Sequence, residues 1–273
     1  MTLGNPPVPA FLALWNDIDP SRIDEYERWH TLEHVPERVW APGFRSGTRY
    51  VATQSGQPRY FTRYELDDVS ALDTAAYQEL VDHPTPWSAS MRPAFANFLR
   101  KPCRQVAVEG VTRGAALLVL RVVWRERIDE AAVARGARLV LVDGAREVVT
   151  QVTAGRVQTA GPQAMRNVDD APAGDEWVFL IEATSTETLK DVEALAQSIL
   201  AALPSDPEHR HSQPDLKKQS PWIAATHYRY ASQVMHADVA RPGRPSPRTE
   251  LMPSPPAPRT DPRPDRPAPD TSA

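Results

Sequence analysis

Residues 10–240 carry one order of elements twice, and this repetition limits the fold more than any other feature of the chain. In the first copy Ala10–Asn16 (AFLALWN) is an apolar run of strand length. Asp19-Pro20-Ser21 follows, where Asp or Ser suits a helix cap, and then Ile23, Tyr26 and His30 come at helical spacing. Gly43–Val51 and Arg59–Leu66 read as strands joined by the hairpin signal Gln54-Ser55-Gly56-Gln57. Leu72–Val81 is a helical stretch, Pro84-Thr85-Pro86 interrupts it, Trp87–Leu99 reads as a further helix, and Arg104–Val108 as a short strand. The order is β-α-β-β-α-β.

The second copy opens at Ala115–Trp124, a buried-strand run, and Arg127-Ile128-Asp129-Glu130 repeats Arg22-Ile23-Asp24-Glu25 just after it. Val148–Val152, Trp177–Ala183, the helical Leu189–Leu203 and a closing Ile223–Tyr230 complete the unit, with Glu182 echoing Glu65. Gly161–Asp175 and Ser205–Ser220 are polar inserts that read as loops. A β-α-β-β-α-β unit is a ferredoxin-like fold, an antiparallel sheet with helices on one face. Its other face needs a cover, and two such sheets packed face to face supply it. The expected fold class is therefore α+β, with tandem ferredoxin-like repeats packed sheet to sheet. Residues 1–110 form the first repeat and carry the candidate site, and 111–240 form a degenerate second repeat.

Composition settles what lies outside those repeats. Eleven of the 28 prolines fall in Arg241–Ala273, where Leu251, Met252 and three alanines are the only apolar residues. Such a segment buries too little to offset the entropy of ordering, so 241–273 is expected to be a disordered, Pro/Arg-rich tail. Lys+Arg 31 against Asp+Glu 35 leaves no polybasic footprint, which argues against nucleic acid or an anionic membrane as partner. No apolar run approaches the roughly 20 residues of a membrane span. One cysteine, Cys103, excludes an internal disulfide, and a cytoplasmic protein is expected. A phosphate loop, a nucleophile elbow and a dinucleotide fingerprint are all missing from the sequence.

The first copy contains Trp29-His30-Thr31-Leu32-Glu33-His34-Val35-Pro36-Glu37-Arg38, then Pro42-Gly43-Phe44-Arg45-Ser46-Gly47-Thr48-Arg49-Tyr50. This pair of segments resembles the dimeric α/β-barrel superfamily, and within it the EthD-like and related uncharacterised proteins. The likeness covers residues 10–105, and 113–231 in topology alone. It implies that the two sheets form a pseudo-dimeric α/β barrel within one chain. It also implies a small-molecule enzyme without a bound cofactor: a cyclase, isomerase, dehydratase or monooxygenase. Haem enzymes share the superfamily, so fold likeness leaves the reaction open. The second copy departs from the pattern, with Arg135 and Leu139 where the first has His30 and His34, which places any chemistry in the first half.

At 100° per residue Ile23, Tyr26, His30, His34 and Glu37 share one helical stripe, with Glu33 at its edge. Pro36 disfavours helical geometry at Val35, so the helix is expected to end near His34. Carbonyls at that end favour an imidazolium and burial opposes it, an arrangement suited to a histidine titrating near neutral pH. His30 and His34 are thus acid–base candidates, with Glu33 or Glu37 to orient the ring or stabilise its cation. A His-x-x-x-His pair also suits a metal. Yet Thr31 stands where the zinc-protease pattern has Glu, and a Glu or the distant His227 would have to complete the shell, so no metal is assigned. A third reading has both rings merely hydrogen-bonded at a helix–sheet junction.

By alternation Phe44, Ser46, Thr48 and Tyr50 share one face of the hairpin, matched by Tyr60, Thr62 and Tyr64 on its partner. Arg45, Arg49, Arg59 and Arg63 lie opposite, with Phe61 among them, and are expected chiefly to pair with Glu65, Asp67 and the neighbouring sheet. Tyr26, Trp29, Tyr50, Tyr60, Tyr64, Arg49 and Trp87 are the substrate-binding candidates. Together they would suit a hydrophobic, aromatic or polyketide-like ligand. An ordinary aromatic core is the competing reading, and Trp87, Met91, Phe95 and Phe98 are spaced as a core stripe. Three functions stay open: a cofactor-free enzyme acting on a small molecule, a non-catalytic binding or scaffold protein, and a haem or metal protein. A homodimer is allowed by all three.

Overall fold

The computed structural model describes residues 8–203 and 220–253. The chain runs β1 (Ala10–Ile18), α1 (Ile23–Trp29), α2 (Val35–Trp40), β2 (Phe44–Ala52), β3 (Tyr60–Leu66), α3 (Ala75–Asp82), α4 (Pro86–Met91) and β4 (Phe95–Gly110). It continues β5 (Ala116–Trp124), α5 (Glu130–Asp143), β6 (Val149–Val157), β7 (Asp175–Ala183), α6 (Leu189–Ala202), β8 (Trp222–Met235) and α7 (His236–Val239). Side-chain caps start several helices where the sequence offers them. Thr74, Thr85 and Asp129 accept from the backbone N–H of Tyr77, Ser88 and Ala132.

The eight strands close into one antiparallel barrel in the order β1-β3-β2-β8-β5-β7-β6-β4. Residues 10–110 thus contribute the order β4-β1-β3-β2, and residues 116–235 the matching order β8-β5-β7-β6. The two sheets join edge to edge and do not merely stack face to face. The reason lies in the last strand of each half, which is long enough to serve both sheets. Phe95–Arg104 of β4 pairs with β1 while Cys103–Gly110 pairs with β6. Trp222–Arg229 of β8 pairs with β5 while Tyr228–Met235 pairs with β2. Closure satisfies edge N–H and C=O groups that two stacked sheets would leave bare, so any self-association must use a surface other than these strand edges.

β4 replaces much of the helix expected over Trp87–Leu99. α4 stops at Met91, Arg92–Ala94 makes a single 3-10 turn, and Phe95 already lies in the strand. Trp87 and Met91 are fully buried, whereas Phe95 is only partly so. The barrel interior is filled by Phe11, Trp15, Phe61, Leu99, Val119 and Leu180 with their neighbours, and it includes Cys103, whose thiol burial pushes up. Charge clusters close the interior at either end. Arg63 and Arg113 clasp Glu65 and Glu182 at one, and Lys101 and Arg121 clasp Asp169 and Glu176 at the other.

Outside the barrel, α5 and α6 cover the second sheet with Val133, Ala137, Val140, Val192, Ala196 and Leu200, an apolar layer on Leu118, Leu120 and Ile181. α1, α2, α3 and α4 cover the first sheet. There Gly47 lets the helix approach, since a Cβ at that position would lie 2.6 Å from Val35 Cγ1 and 2.8 Å from Val39 Cγ2. The stretch from Arg241 differs from the expected tail. Up to Pro253 it runs as a strap along α2 and α1, with Trp40 donating to the Arg241 carbonyl and Leu251 and Met252 packing beside Tyr26 and Trp29. Residues 254–273, and most of the polar insert with His209 and His211, lie outside the described residues. Among the described residues no helix is long and apolar enough to cross a membrane.

Candidate functional site

The helix does not end at His34. α1 and α2 are joined by a π turn, His30–His34, in which the Val35 N–H reaches back five residues to the His30 carbonyl. The wider turn carries the chain past Pro36, which has no N–H to give, and the helix continues to Trp40. One helical face therefore carries Tyr26, His30, His34 and Arg38. π turns recur at functional sites because they re-aim side chains that a regular helix would space evenly.

The rings form a continuous stack. Tyr26 lies on His30 at 4.8 Å and 16°, His30 faces His34 at 5.2 Å and 24°, and Trp29 meets His34 at 4.4 Å. Tyr60 closes on Tyr26 at 4.4 Å. Second bonds fix three members. The Tyr26 hydroxyl donates to Asn16 Oδ1 at 3.1 Å, Trp29 Nε1 to Ser88 Oγ at 3.2 Å, and Trp87 Nε1 to Glu25 Oε1 at 3.0 Å. The Nδ1 atoms of both histidines are buried with no hydrogen-bond partner, and so is the Tyr64 hydroxyl.

Burial decides the protonation question that the helix end left open. It holds both imidazoles well below the ordinary histidine range, and neighbouring cations act the same way: first Arg49 at His30, and first Arg38 at His34. Both rings are neutral at physiological pH, so the expectation of a histidine titrating near neutrality does not hold for the closed structure. Burial likewise pushes the phenols of Tyr26 and Tyr64 up, which keeps them hydrogen-bond donors.

Glu33 and Glu37 are buried, yet neither carboxylate hydrogen-bonds an imidazole. Glu33 accepts from Thr85 Oγ1 and from the Arg248 backbone N–H, both at 2.6 Å. Glu37 Oε1 accepts from Arg244 at 2.9 and 2.7 Å, while its Oε2 is unpartnered. These carboxylates anchor the strap. Two cavities open beneath it. One, of about 210 Å³, lies between Glu33, Glu37, Arg241 and Arg248; the other, of about 330 Å³, between His83, Thr85, Arg244 and Pro247. Neither His30 nor His34 lines either of these cavities.

The hairpin faces are split differently from the simple alternation. A bulge between Phe44 and Ser46 shifts the register of β2, and one residue of shift turns every later side chain over. Phe44 therefore packs under the helices with Tyr64, while Tyr50 pairs with Phe61 and points into the barrel, away from the histidines. Arg49, opposite Thr62, comes to the helix side instead. It pairs with Glu27 at 2.8 Å, bonds Thr31 and lies over the Tyr26 ring at 5.7 Å. Tyr26, Trp29, Tyr60, Tyr64, Arg49 and Trp87 are thus in or beside the stack, and Tyr50 is not.

His227 faces Glu193 of α6 at 2.6 Å, in the layer over the second sheet. Among the described residues no three His, Cys, Asp or Glu side chains gather as a metal site would require. The sequence reading missed Arg38, Thr85, Ser88, Arg244 and Arg248. Arg38 continues the His30, His34 spacing by four more residues, a signal that the expected helix end at Pro36 obscured.

No protein-family model matches the chain, and no curated protein is significantly similar to it. Solved structures are similar in shape. An anthrone oxidase-like protein aligns at TM-score 0.55 and 8% identity, covering 86% of this chain and 96% of its own. A protein provisionally named a monooxygenase, from Fusobacterium nucleatum subsp. nucleatum, aligns at TM-score 0.53 and 7% identity, covering 84% and 95%. With eight strands closed in the order described and helices outside, the chain has the fold of the dimeric α/β-barrel superfamily, both halves being supplied by one polypeptide.

Proposed function

We propose that the chain is a small-molecule enzyme that acts without a bound cofactor, by proton transfer at His30 or His34, on a hydrophobic aromatic or polyketide-like substrate. The observation that carries this reading is a pair of neutral imidazoles whose buried Nδ1 atoms have no protein partner, set in a layer of aromatic rings. Buried polar atoms are nearly always satisfied, and one that is not calls for an explanation, a catalytic role among them. A neutral imidazole is ready to take a proton, and a phenol that stays protonated is ready to donate to the oxygen that becomes negative.

In the proposed step an acidic C–H or O–H of the substrate gives its proton to an imidazole nitrogen. The electron pair remains on the substrate as an enolate or phenolate, toward which Tyr64 donates. Cyclisation, isomerisation and dehydration can follow from that anion alone. The names of the anthrone oxidase-like protein and of the monooxygenase keep an oxygen-consuming branch in view. Substrate reaches the layer when the strap from Arg241 to Pro253 lifts from Glu33 and Glu37.

Anthrone is the first compound to try, because its oxidation is balanced by dioxygen alone: anthrone plus O2 gives anthraquinone plus water. Oxygen uptake and quinone absorbance report turnover, and a panel of hydroxylated naphthalenes and linear polyketone mimics follows. His34→Ala or His30→Ala should lower turnover about 10²-fold or more with the barrel still folded by circular dichroism. Equal turnover in both variants would remove the proposal. Binding without turnover in the native chain would identify a binding protein instead.

A further inference from the structure

Arg38 is the group in this layer that the proposed proton transfer does not use. It follows His30 and His34 by eight and four positions on the same helical face. The side chain is 7% exposed, its Nη1 is buried without a partner, and its guanidinium lies over the Tyr77 ring at 5.9 Å. Among the described residues no carboxylate forms an ion pair with it. Glu33 on the same helix is engaged by Thr85 and the Arg248 N–H, and Glu37 by Arg244 through Oε1 alone, its Oε2 being unpartnered; Asp82, which acts on Arg92 together with Arg38, forms no ion pair with Arg38. Arg92, the next cation acting on His34, donates to the Val81 carbonyl at 2.6 Å. A guanidinium cannot shed its proton, and a charge removed from water is normally paired. Beside it the Tyr64 hydroxyl, on which Arg38 exerts the largest charge effect, is also unpartnered.

We propose that the layer between the π-turn helix and the first sheet is an anion site, in which Arg38 and the Tyr64 hydroxyl hold an acidic oxygen of an aromatic ligand. The proposal rests on the proposed function for its location and narrows the substrate class to aromatic acids: carboxylates, or phenols and enols that bind ionised. With the strap lifted, the aromatic body would lie against the edge of the Tyr26, Trp29 and histidine stack, and the anion would supply the charge that Arg38 lacks. Two donors converging on one oxygen or carboxylate are the usual means of fixing such a group.

The test is calorimetric titration of the full chain with 2-naphthoate and with 2-naphthamide, which share a ring and differ in charge. Naphthoate is expected to bind at least about tenfold more tightly. Arg38→Met should bring it to the level of the amide without weakening the amide, Arg38→Lys should retain part of the preference, and Tyr64→Phe should lower it. Equal binding of the two probes by the native chain, no binding of either at millimolar concentration, or a preference that survives in Arg38→Met would overturn the proposal. If Arg38→Met does not fold, the native preference and the Lys variant decide. An anion preference with no turnover on any substrate would count against the enzyme reading alone. Turnover of neutral substrates without an anion preference would count against the anion site alone.

Discussion

An uncompensated buried cation makes a prediction about stability that runs against the usual direction of core mutations. Arg38→Met keeps most of the aliphatic stem and removes the guanidinium. Replacing buried ionic groups by apolar side chains of similar volume is neutral or stabilising by about 1–4 kcal/mol, and here no protein counter-charge is lost with it. The one attractive contact that disappears is the approach to the Tyr77 ring at 5.9 Å, a contribution of roughly 0.5–1 kcal/mol. The balance is a ligand-free variant more stable than the native chain by about 1–3 kcal/mol. At roughly 2–4 °C per kcal/mol for a domain of this size, Tm should rise by about 2–12 °C in scanning calorimetry. The gap should narrow with an anionic ligand present, since free ligand at about 100 times the native Kd adds about 2.7 kcal/mol to the native protein and, at tenfold weaker binding, about 1.4 kcal/mol to the variant. A ligand-free variant that melts below the native chain would refute the reasoning, because the guanidinium would then be satisfied by the protein itself.

Three further outcomes follow from other parts of the structure. Glu182, 1% exposed, accepts from Arg63 at 3.1 Å, Arg113 at 2.7 Å and the Gly114 N–H at 2.8 Å. Glu182→Gln should therefore cost about 2–4 kcal/mol and lower Tm by several degrees, and a shift under 2 °C would contradict that role. Both site histidines are depressed when folded, so an unfolded chain takes up protons below about pH 6.5 that the folded one refuses. Their contribution is whole above that pH and lost as pH falls, at up to about 1.4 kcal/mol per unit for each ring. Urea unfolding between pH 7.5 and 5 should show this slope, reduced in His34→Asn, and a flat profile would show that the rings are not held neutral. Arg244 is partly exposed, so its pair with Glu37 should contribute only about 1 kcal/mol. A double-mutant cycle of Arg244→Ala with Glu37→Gln reads that coupling, and strict additivity would mean the strap is not anchored there.

Where the sequence is informative and where it is not has specific physical causes. β5 is legible because all nine residues of Ala116–Trp124 are buried, and a run that is apolar except for Arg121 suits a strand covered on both faces. β4 is not, because Trp87, Met91, Phe95 and Phe98 fit a helical period as well as they fit the actual turn-then-strand. Two neighbouring strands in need of a hydrogen-bonding edge settle the matter, and local pattern does not encode them. The bulge at Phe44/Ser46 is likewise invisible to alternation and reassigns Tyr50 and Arg49 to opposite faces. Pro36 is a sound signal for a helix end in an α-helix; the π turn removes the conflict and with it the reason to stop. The strap shows how little apolar surface can order a Pro-rich segment, since Leu251 and Met252 meet an aromatic cluster already in place.

The division of labour between the halves explains how a layer with unpartnered polar atoms is tolerated at all. The equivalent layers differ in their share of ionisable groups. Over the second sheet most helix contacts are aliphatic, from Val133 and Val140 on α5 to Val192 and Leu200 on α6, meeting Leu118, Leu120, Phe179 and Ile181, with the His227–Glu193 contact as a polar exception. Over the first sheet the corresponding helix presents His30, Glu33, Glu37 and Arg38, all buried. A domain needs only a small excess of favourable burial over entropy, and in a closed barrel the strand ladder is shared, so stability gained on one side supports both. The aliphatic layer then offsets the desolvation of the polar one. Restoring His at Arg135 and Leu139 in the second half should therefore not recreate a site: the rings beside α5, Trp124, Trp177 and Phe179, pack on one another in an apolar cluster, the cations Arg104 and Arg156 are paired with Glu130, and the added imidazoles should lower stability alone. A gain of anionic-ligand binding in Arg135→His/Leu139→His, measured with the first-half pair replaced by alanine, would show instead that the histidine spacing by itself makes the site.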